Sequence, residues 1–426
     1  MKHSVFLTTL AAVVAVLSWT QRTEGQCQYE WRQGDGVPVT DGLVVVLTTW
    51  DPDGPGPQLP LLVAGGSFSL AGSAVASNIA AWNGTAWSAL GTGMNSSVSA
   101  LTVYNGNLIA GGSFTIAGGT AANRIAQWDG NAWTALGTGM NSSVSTLTVY
   151  DGNLIAGGSF NTAGGTAANR IAQWDGTTWT ALGSGIIGSV FDLTVYNGNL
   201  ISGGGFLTAG GVPADRIAEW NGTAWTALST NTGDDVYALT VYNGNLIVGG
   251  DFPTIGGNDG INFIAQWDGT VWSALGTGMT WDVQALSVYN GYLIAGGNFT
   301  IAGGTAANRI AQWDGTAWSA LGSGMNGPVN LLAVYNGELI AGGSFSTAGG
   351  NISANWARWG PIDSDADGVP DCMDNCPDIA NPGQEDCDGD GYGDVCGCNA
   401  LRGDMNDDGV INAADIQLFV EAALGG

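Results

Sequence analysis

Three observations predict an all-β fold, a seven-bladed β-propeller closed by a strand from the N-terminal end. A unit such as residues 101–140 recurs almost unchanged. Its VYNG tetrad or a near variant begins at Val103, Val149, Val195, Val241, Val288 and Val334, in steps of 46, 46, 46, 47 and 46 residues. A segment reading (A/S/V)GG(S/G/D/N)F begins seven times, at Ala64, Ala110, Ala156, Ser202, Val248, Ala295 and Ala341. Tryptophans recur in pairs five residues apart, but the second member follows only six of the seven first members. Repeats of this period built from short strands indicate a propeller. Seven of them need a closed ring, because an open one leaves two unpaired sheet edges.

Within one unit, residues 98–104 are β-branched and aromatic, and Asn105-Gly106 is a hairpin signal. Residues 108–114 form the returning strand, and 117–123 form a longer Gly/Ala/Thr loop. Residues 125–128, the Asp129-Gly130 turn and residues 133–136 make a second hairpin, so each unit holds four antiparallel strands. The first tryptophans are Trp82, Trp128, Trp174, Trp220, Trp267, Trp313 and Trp359; the second are Trp87, Trp133, Trp179, Trp225, Trp272 and Trp318. The partner missing after Trp359 stands at the other end of the chain. Trp31 precedes Leu47 by 16 residues, as Trp87 precedes Val103. The segment around Trp31 is therefore expected to supply the last blade's fourth strand, with an insertion at 51–60 following the next one. A β-solenoid is the rival, but its coils repeat at shorter periods and do not explain the complementary ends.

Composition narrows the function. The chain of 426 residues carries 71 glycines without a collagen period, 45% hydrophobic residues and a formal net charge of −27. Residues 1–25 read as a secretory signal peptide: Lys2 and His3, an apolar run over 5–17, then polar residues before cleavage near Gly25. That run is too short to span a bilayer, and no later one is long enough. The expected location is secreted, extracellular or at the cell surface. The mature chain then lacks histidine and lysine, which excludes a Ser-His-Asp triad, a histidine-ligated metal and a Schiff-base lysine. Scattered arginines among many acids exclude nucleic acid as a partner.

The blade resembles the kelch repeat in its hydrophobic strand, turn, Gly-Gly-terminated strand and two aromatics around a turn. This resemblance covers residues 26–360 and departs in the aromatic pair, Trp–Trp here. It implies a module that binds protein or carbohydrate. The copper-dependent oxidases of that family need histidine ligands that this chain lacks.

Most repeated residues have structural explanations. Gly-Gly pairs let neighbouring backbone approach, and the tryptophan pairs pack between blades. Arg124, Arg170, Arg216 and Arg309 recur at one position and are expected to form a ring of charge-paired arginines. The tight turns within the hairpins share one face. The loop between the second and third strands and the connection between blades share the other, and there the copies diverge. Phe191, Asp192, Asp234, Asp235, Tyr237, Trp281 and Asp282 enter these connections and define the candidate ligand-binding face, for extracellular carbohydrate or protein. The chain is read as a binding or scaffold module and not an enzyme. One alternative is a polysaccharide-degrading enzyme using Asp234, Asp235 and Asp282; another is a structural cell-surface protein.

Residues 361–426 hold spaced acids rather than a random acidic run. Asp363, Asp365, Asp367 and Asp371, and again Asp386, Asp388, Asp390 and Asp394, form ladders around Gly368 and Gly391, with Asp374 between them. Alternate carboxylates on a tight turn converge on a hard cation, Ca²⁺. Residues 361–400 resemble thrombospondin type 3 repeats through these ladders and the DNCP segment. The resemblance implies calcium-dependent folding with disulfides. Its first choice is Cys376–Cys396 and its second Cys372–Cys387, with Cys27 and Cys398 left to pair across the ring closure; other pairings stay open. In 401–426, Asp404, Asn406, Asp408, Val410 through its carbonyl, Asn412 and Asp415 occupy the ligand positions of an EF-hand-type loop. A short amphipathic helix is expected after it. This unit resembles a type I dockerin, which implies calcium binding and a cohesin-like partner, although only one of the usual two loops is present. The tail is thus expected to be small, calcium-binding, loop-rich and helical.

Overall fold

The computed structural model describes residues 27–32, 40–229, 231–365 and 368–384. Glu30–Gly360 forms one compact unit, and the described residues on either side of it belong to a second. The first unit is a seven-bladed β-propeller of four-stranded antiparallel sheets, with no helix among the described residues.

Blade one consists of Leu43–Trp50, Leu61–Ser67, Ile79–Trp82 and Trp87–Ala89 from the centre outwards. Blade two repeats this with Val98–Tyr104, Asn107–Gly112, Ile125–Trp128 and Trp133–Ala135. In blade four the two inner strands lengthen to Ile186–Tyr196 and Asn199–Ala209. Blade seven takes Val329–Tyr335, Glu338–Gly343 and Trp356–Pro361 from the C-terminal side, and its outermost strand is Tyr29–Arg32. The missing tryptophan therefore marked the closing strand, and the ring joins as the sequence predicts. Innermost strands are neighbours all round, including those of blades seven and one.

The same contacts seal six of the seven seams. In the first six blades the leading glycine of the Gly-Gly pair faces a valine of the next blade. A Cβ on Gly111 would stand 2.6 Å from Val144 Cγ1, and the same distance separates Gly65 from Val98 and Gly249 from Val283. Except for Trp87, whose indole N–H has no partner among the described residues, each second tryptophan donates its indole N–H to a leucine carbonyl of the preceding blade, as Trp133 does to Leu90 at 2.8 Å. Trp31 does so to Leu321 at 2.8 Å, behaving as an ordinary outer-strand tryptophan although 290 residues away in sequence. On the tight-turn face, Tyr242 donates its hydroxyl to Gly291 of blade six. Tyr335 of blade seven donates to Pro60 of blade one at 3.1 Å, closing the ring there too.

The loop expected over 117–123 contains a further small hairpin, Ile116–Ala117 against Thr120–Ala121. Two-residue strands are too short to show alternation, so no sequence period announces them. The connection between blades supports this hairpin: the Asn95 side chain accepts the backbone N–H of Thr115 and Ile116, and Asn141 does the same for Asn161 and Thr162.

The expected ring of charge-paired arginines is not what forms. Among the described residues only Arg216 of the four has an ion pair, with Asp215 and Asp235. Arg170 donates to the carbonyls of Gly188 and Phe160, and Arg309 to that of Asn298. What repeats is the backbone. Arg124, Arg170, Arg216 and Arg309 all lie at φ between 63° and 67°, where Asn78 and Asn355 stand in other blades. The residue's amide and carbonyl bridge the corner between second and third strands, as in Arg124 N–H to Phe114 and Gly112 N–H to Arg124.

In the second unit, Cys27 is bonded to Cys372, with Cα atoms 5.1 Å apart. This corrects two of the expected pairings, Cys372–Cys387 and Cys27–Cys398. Backbone bonds bring those cysteines together: the amide of Ile362 donates to the Gln28 carbonyl, and that of Asp371 to Ile362. Cys376 is also disulfide-bonded; its expected partner Cys396 lies outside the described residues, as do Cys387 and Cys398.

Candidate functional site

The divergent connections do gather on one face, with the small hairpins. Isolated bridges such as Met94 with Ala117 and Met279 with Ala302 tie a connection to the hairpin beside it in most blades. Six of the seven candidate residues cluster over blades four to six.

Asp192 is the exception. Its carboxylate accepts the backbone amides of Leu193 at 2.8 Å and Leu239 at 2.7 Å, with the Thr146 hydroxyl at 3.5 Å. It therefore ties the innermost strands of blades three, four and five where each bulges. The residue is only half-buried, but the carboxylate is enclosed, and burial pushes it up to about 6 against the lowering effect of those hydrogen bonds. It is a structural tie and not part of an open ligand surface.

Phe191 lies midway along the innermost strand of blade four and Tyr237 near the start of that of blade five, with ring centroids 5.9 Å apart. Behind them Asp235 meets Arg216, whose Nε lies 3.7 Å from Asp235 Oδ1 and whose guanidinium also pairs with Asp215. Asp234 accepts the Asp235 amide at 2.9 Å. Burial, then the charge of Asp234, raises the Asp235 carboxyl, while Arg216 opposes the rise.

Asp282 starts blade six and is buried, at 5% exposure. Its Oδ2 accepts Gln284 Nε2 at 2.7 Å and Asn298 Nδ2 at 3.1 Å. Its Oδ1 is buried with no hydrogen-bond partner among the described residues. Asp251 joins this group, although the sequence reading missed it. Burial and then the charges of Asp282, Asp234 and Asp235 raise its carboxyl. The Tyr237 hydroxyl is pushed up to about 12, by burial first and then by Asp235, Asp251, Asp282 and Asp234. The signal for Asp251 was the residue following each Gly-Gly pair, which reads Ser, Ser, Ser, Gly, Asp, Asn, Ser along the ring.

Trp281 stands 59% exposed beside Asp282. With Thr280, Asn298, Thr300 and Arg309 it lines an open groove of about 500 Å³. Hydroxyls, an amide, a guanidinium and one exposed indole face suit a sugar ring, which takes hydrogen bonds at its edge and stacking on its face.

Of the metal residues expected in the tail, Asp363, Asp365, Asp371 and Asp374 are described. Asp371 accepts both the amide and the hydroxyl of Ser364 at 2.7 Å. Asp374 Oδ1 accepts Cys376 N–H at 2.7 Å and Gln384 Nε2 at 2.8 Å. Asp363 Oδ1 and Asp374 Oδ2 are buried without hydrogen-bond partners among the described residues, as oxygens kept for a hard cation would be. No three acidic, histidine or cysteine side chains among the described residues are placed to hold a metal ion. Asp367, Asp386, Asp388, Asp390, Asp394 and the whole set from Asp404 to Asp415 lie outside those residues.

Residues 127–290 match the family model described as the Rax2 C-terminal beta propeller domain. No curated protein matches this chain. Solved structures similar to it include the WD40 beta propeller domain of Doa1 at 14% identity, covering 78% of this chain and 96% of that one, with a TM-score of 0.48. RRP9 WD40 repeats are similar at 12% identity, 78% and 97% coverage and a TM-score of 0.49. The computationally designed Ika8 protein is similar at 14% identity, 76% and 98% coverage and a TM-score of 0.47. The family match and the sheet topology above carry the fold assignment. No helix among the described residues is long and apolar enough to cross a membrane.

Proposed function

We propose that this protein is a secreted, calcium-stabilised β-propeller that works as a binding module for extracellular carbohydrate. The observation that carries the reading is the exposed Trp281 indole in a polar groove, on the face where the blades differ. Near-identical blades build the ring, and the divergent connections of blades four to six supply recognition. The chain is read as non-catalytic, with its C-terminal modules as calcium-dependent spacer and attachment point, including a cohesin-like partner for 401–426. A glycan array probed with the full-length protein tests the reading. Binding lost in Trp281→Ala supports it; retention of every glycan by that variant would sink it.

A glycan-hydrolysing role is the second reading, favoured by the raised Asp235 and Asp251 carboxyls, since a general acid needs such a shift. Release of reducing sugar, abolished by Asp235→Asn or Asp251→Asn, would establish it over the first.

A further inference from the structure

The seam between blades five and six holds acids at two facing positions, where its sisters hold one or none. Between blades two and three, Ser113 follows the Gly-Gly pair and meets Ser143, which precedes the next inner strand; their hydroxyls are 2.9 Å apart. At blades five and six the same two positions hold Asp251 and Asp282. The backbone frame is unchanged: Asp251 N–H donates to Asp235, and Ser113 N–H to Ser97, at 3.0 Å each. Two carboxylates thus replace two hydroxyls that satisfy each other.

Carboxylates accept but cannot donate, so this pair cannot satisfy itself when ionised. Two of the Asp282 oxygen's neighbours, Gln284 and Asn298, serve Oδ2 alone, and the buried Oδ1 is left without a partner among the described residues. A buried acceptor left bare is costly, and more so when charged. The Arg216 guanidinium is taken by Asp215 and Asp235. Arg309 donates to the Asn298 carbonyl and forms no ion pair among the described residues. Asn298, whose side chain donates to Asp282, also lines the groove beside Trp281, so the groove adjoins this unneutralised seam.

A bare metal ion lacks a cage here, since no three ligating side chains among the described residues are placed for one. An ammonium needs less: three N–H donors satisfied by two carboxylates and one further oxygen. We infer that the blade five–six seam receives a primary ammonium group, and that the carbohydrate seated against Trp281 is a glycan bearing free 2-amino sugars. The ring of such a sugar stacks on the indole, its ammonium reaches Asp251 and Asp282, and its hydroxyls meet Thr280, Thr300 and Arg309. This rests on the carbohydrate reading above and narrows it.

The test compares the full-length protein's affinity for equal-length oligomers of 2-amino-2-deoxyglucose, of its N-acetylated form and of neutral glucose, with a lysine-rich peptide alongside. The amino oligomer is expected to bind at least tenfold tighter than the other two. Asp251→Asn and Asp282→Asn are each expected to erase that preference. Asp251, the more exposed of the two, serves if the Asp282 variant misfolds. Asp129→Asn and Asp314→Asn remove the same charge on the tight-turn face, where Asn83 and Asn221 already stand in sister blades; an equal loss there would reduce the effect to net charge and overturn the inference. Equal affinity for all three sugars overturns it too, but leaves the carbohydrate reading intact. No sugar binding at all defeats both, and capture of the peptide alone assigns the seam to a basic protein partner instead.

Discussion

Gly111→Ala tests the seam that defines this ring. The residue sits in a regular strand, so alanine alone would gain roughly 0.5–1 kcal/mol through the unfolded chain. Against that, its Cβ would stand 2.6 Å from Val144 Cγ1 and 3.3 Å from Leu147 Cδ1. Ordinary carbon contacts lie near 3.5–4.0 Å. Val144 is fully buried, and its blade is held on the far side by the next one, so neither partner can withdraw freely. Overpacking of this kind costs about 1–3 kcal/mol, which outweighs the gain and leaves a net loss of about 1–2 kcal/mol. Val144→Ala alone loses about 2 kcal/mol by removing buried methyl groups. In the double variant the new methyl enters the space that valine vacated, so the two losses should fall short of their sum by about 1–2 kcal/mol. Guanidinium unfolding followed by tryptophan fluorescence reads these differences as shifts in midpoint at constant slope. Additivity within about 0.5 kcal/mol, or a neutral Gly111→Ala, would refute the account of the Gly-Gly pair. Gly112→Ala is the control: its Cβ would collide with the Ser97 carbonyl, a backbone group that no side-chain deletion relieves.

Two further predictions concern charge and covalent closure. The Asp192 carboxyl is raised from 3.8 to about 6, so the folded state holds its proton more tightly than the unfolded one. Its contribution is greatest below pH 4 and falls as pH rises to about 6, by roughly 3 kcal/mol. Asp192→Asn should therefore gain on the parent across that window, measured by denaturant midpoints at pH 3.5 and 7; a difference constant with pH would contradict the enclosed carboxylate. The Cys27–Cys372 bond spans 345 residues of chain, for which loop entropy sets a contribution on the order of 5 kcal/mol. Reduction should lower the unfolding midpoint, and non-reducing peptide mapping should recover that pair. Recovery of Cys372–Cys387 or Cys27–Cys398 instead would show the pairing to be wrong.

Much of the fold was legible because repetition makes a physical pattern countable. The steps between VYNG tetrads announced the blades, and Asn-Gly is a hairpin signal whose positive φ the structure shows at Asn105 and Gly106. The candidate face was legible as the place where copies disagree, and six of its seven residues do cluster there. Asp192 was misplaced because sequence shows that an acid enters a connection, not which way its carboxylate turns. Asp251 was overlooked because its partner, Asp282, is 31 residues away and faces it only across a seam.

The sequence by itself determined the number of blades, the loan of the closing strand and the face on which the copies differ. Each of these follows from local periodicity or from counting what is missing. The tertiary structure decided which residues meet between blades: that Asp192 ties three inner strands, that the recurrent arginines share a left-handed backbone rather than a charge network, and that Cys27 joins Cys372. It also brought two carboxylates to a seam where serines stand elsewhere. These contacts join residues far apart in sequence, which no local periodicity relates.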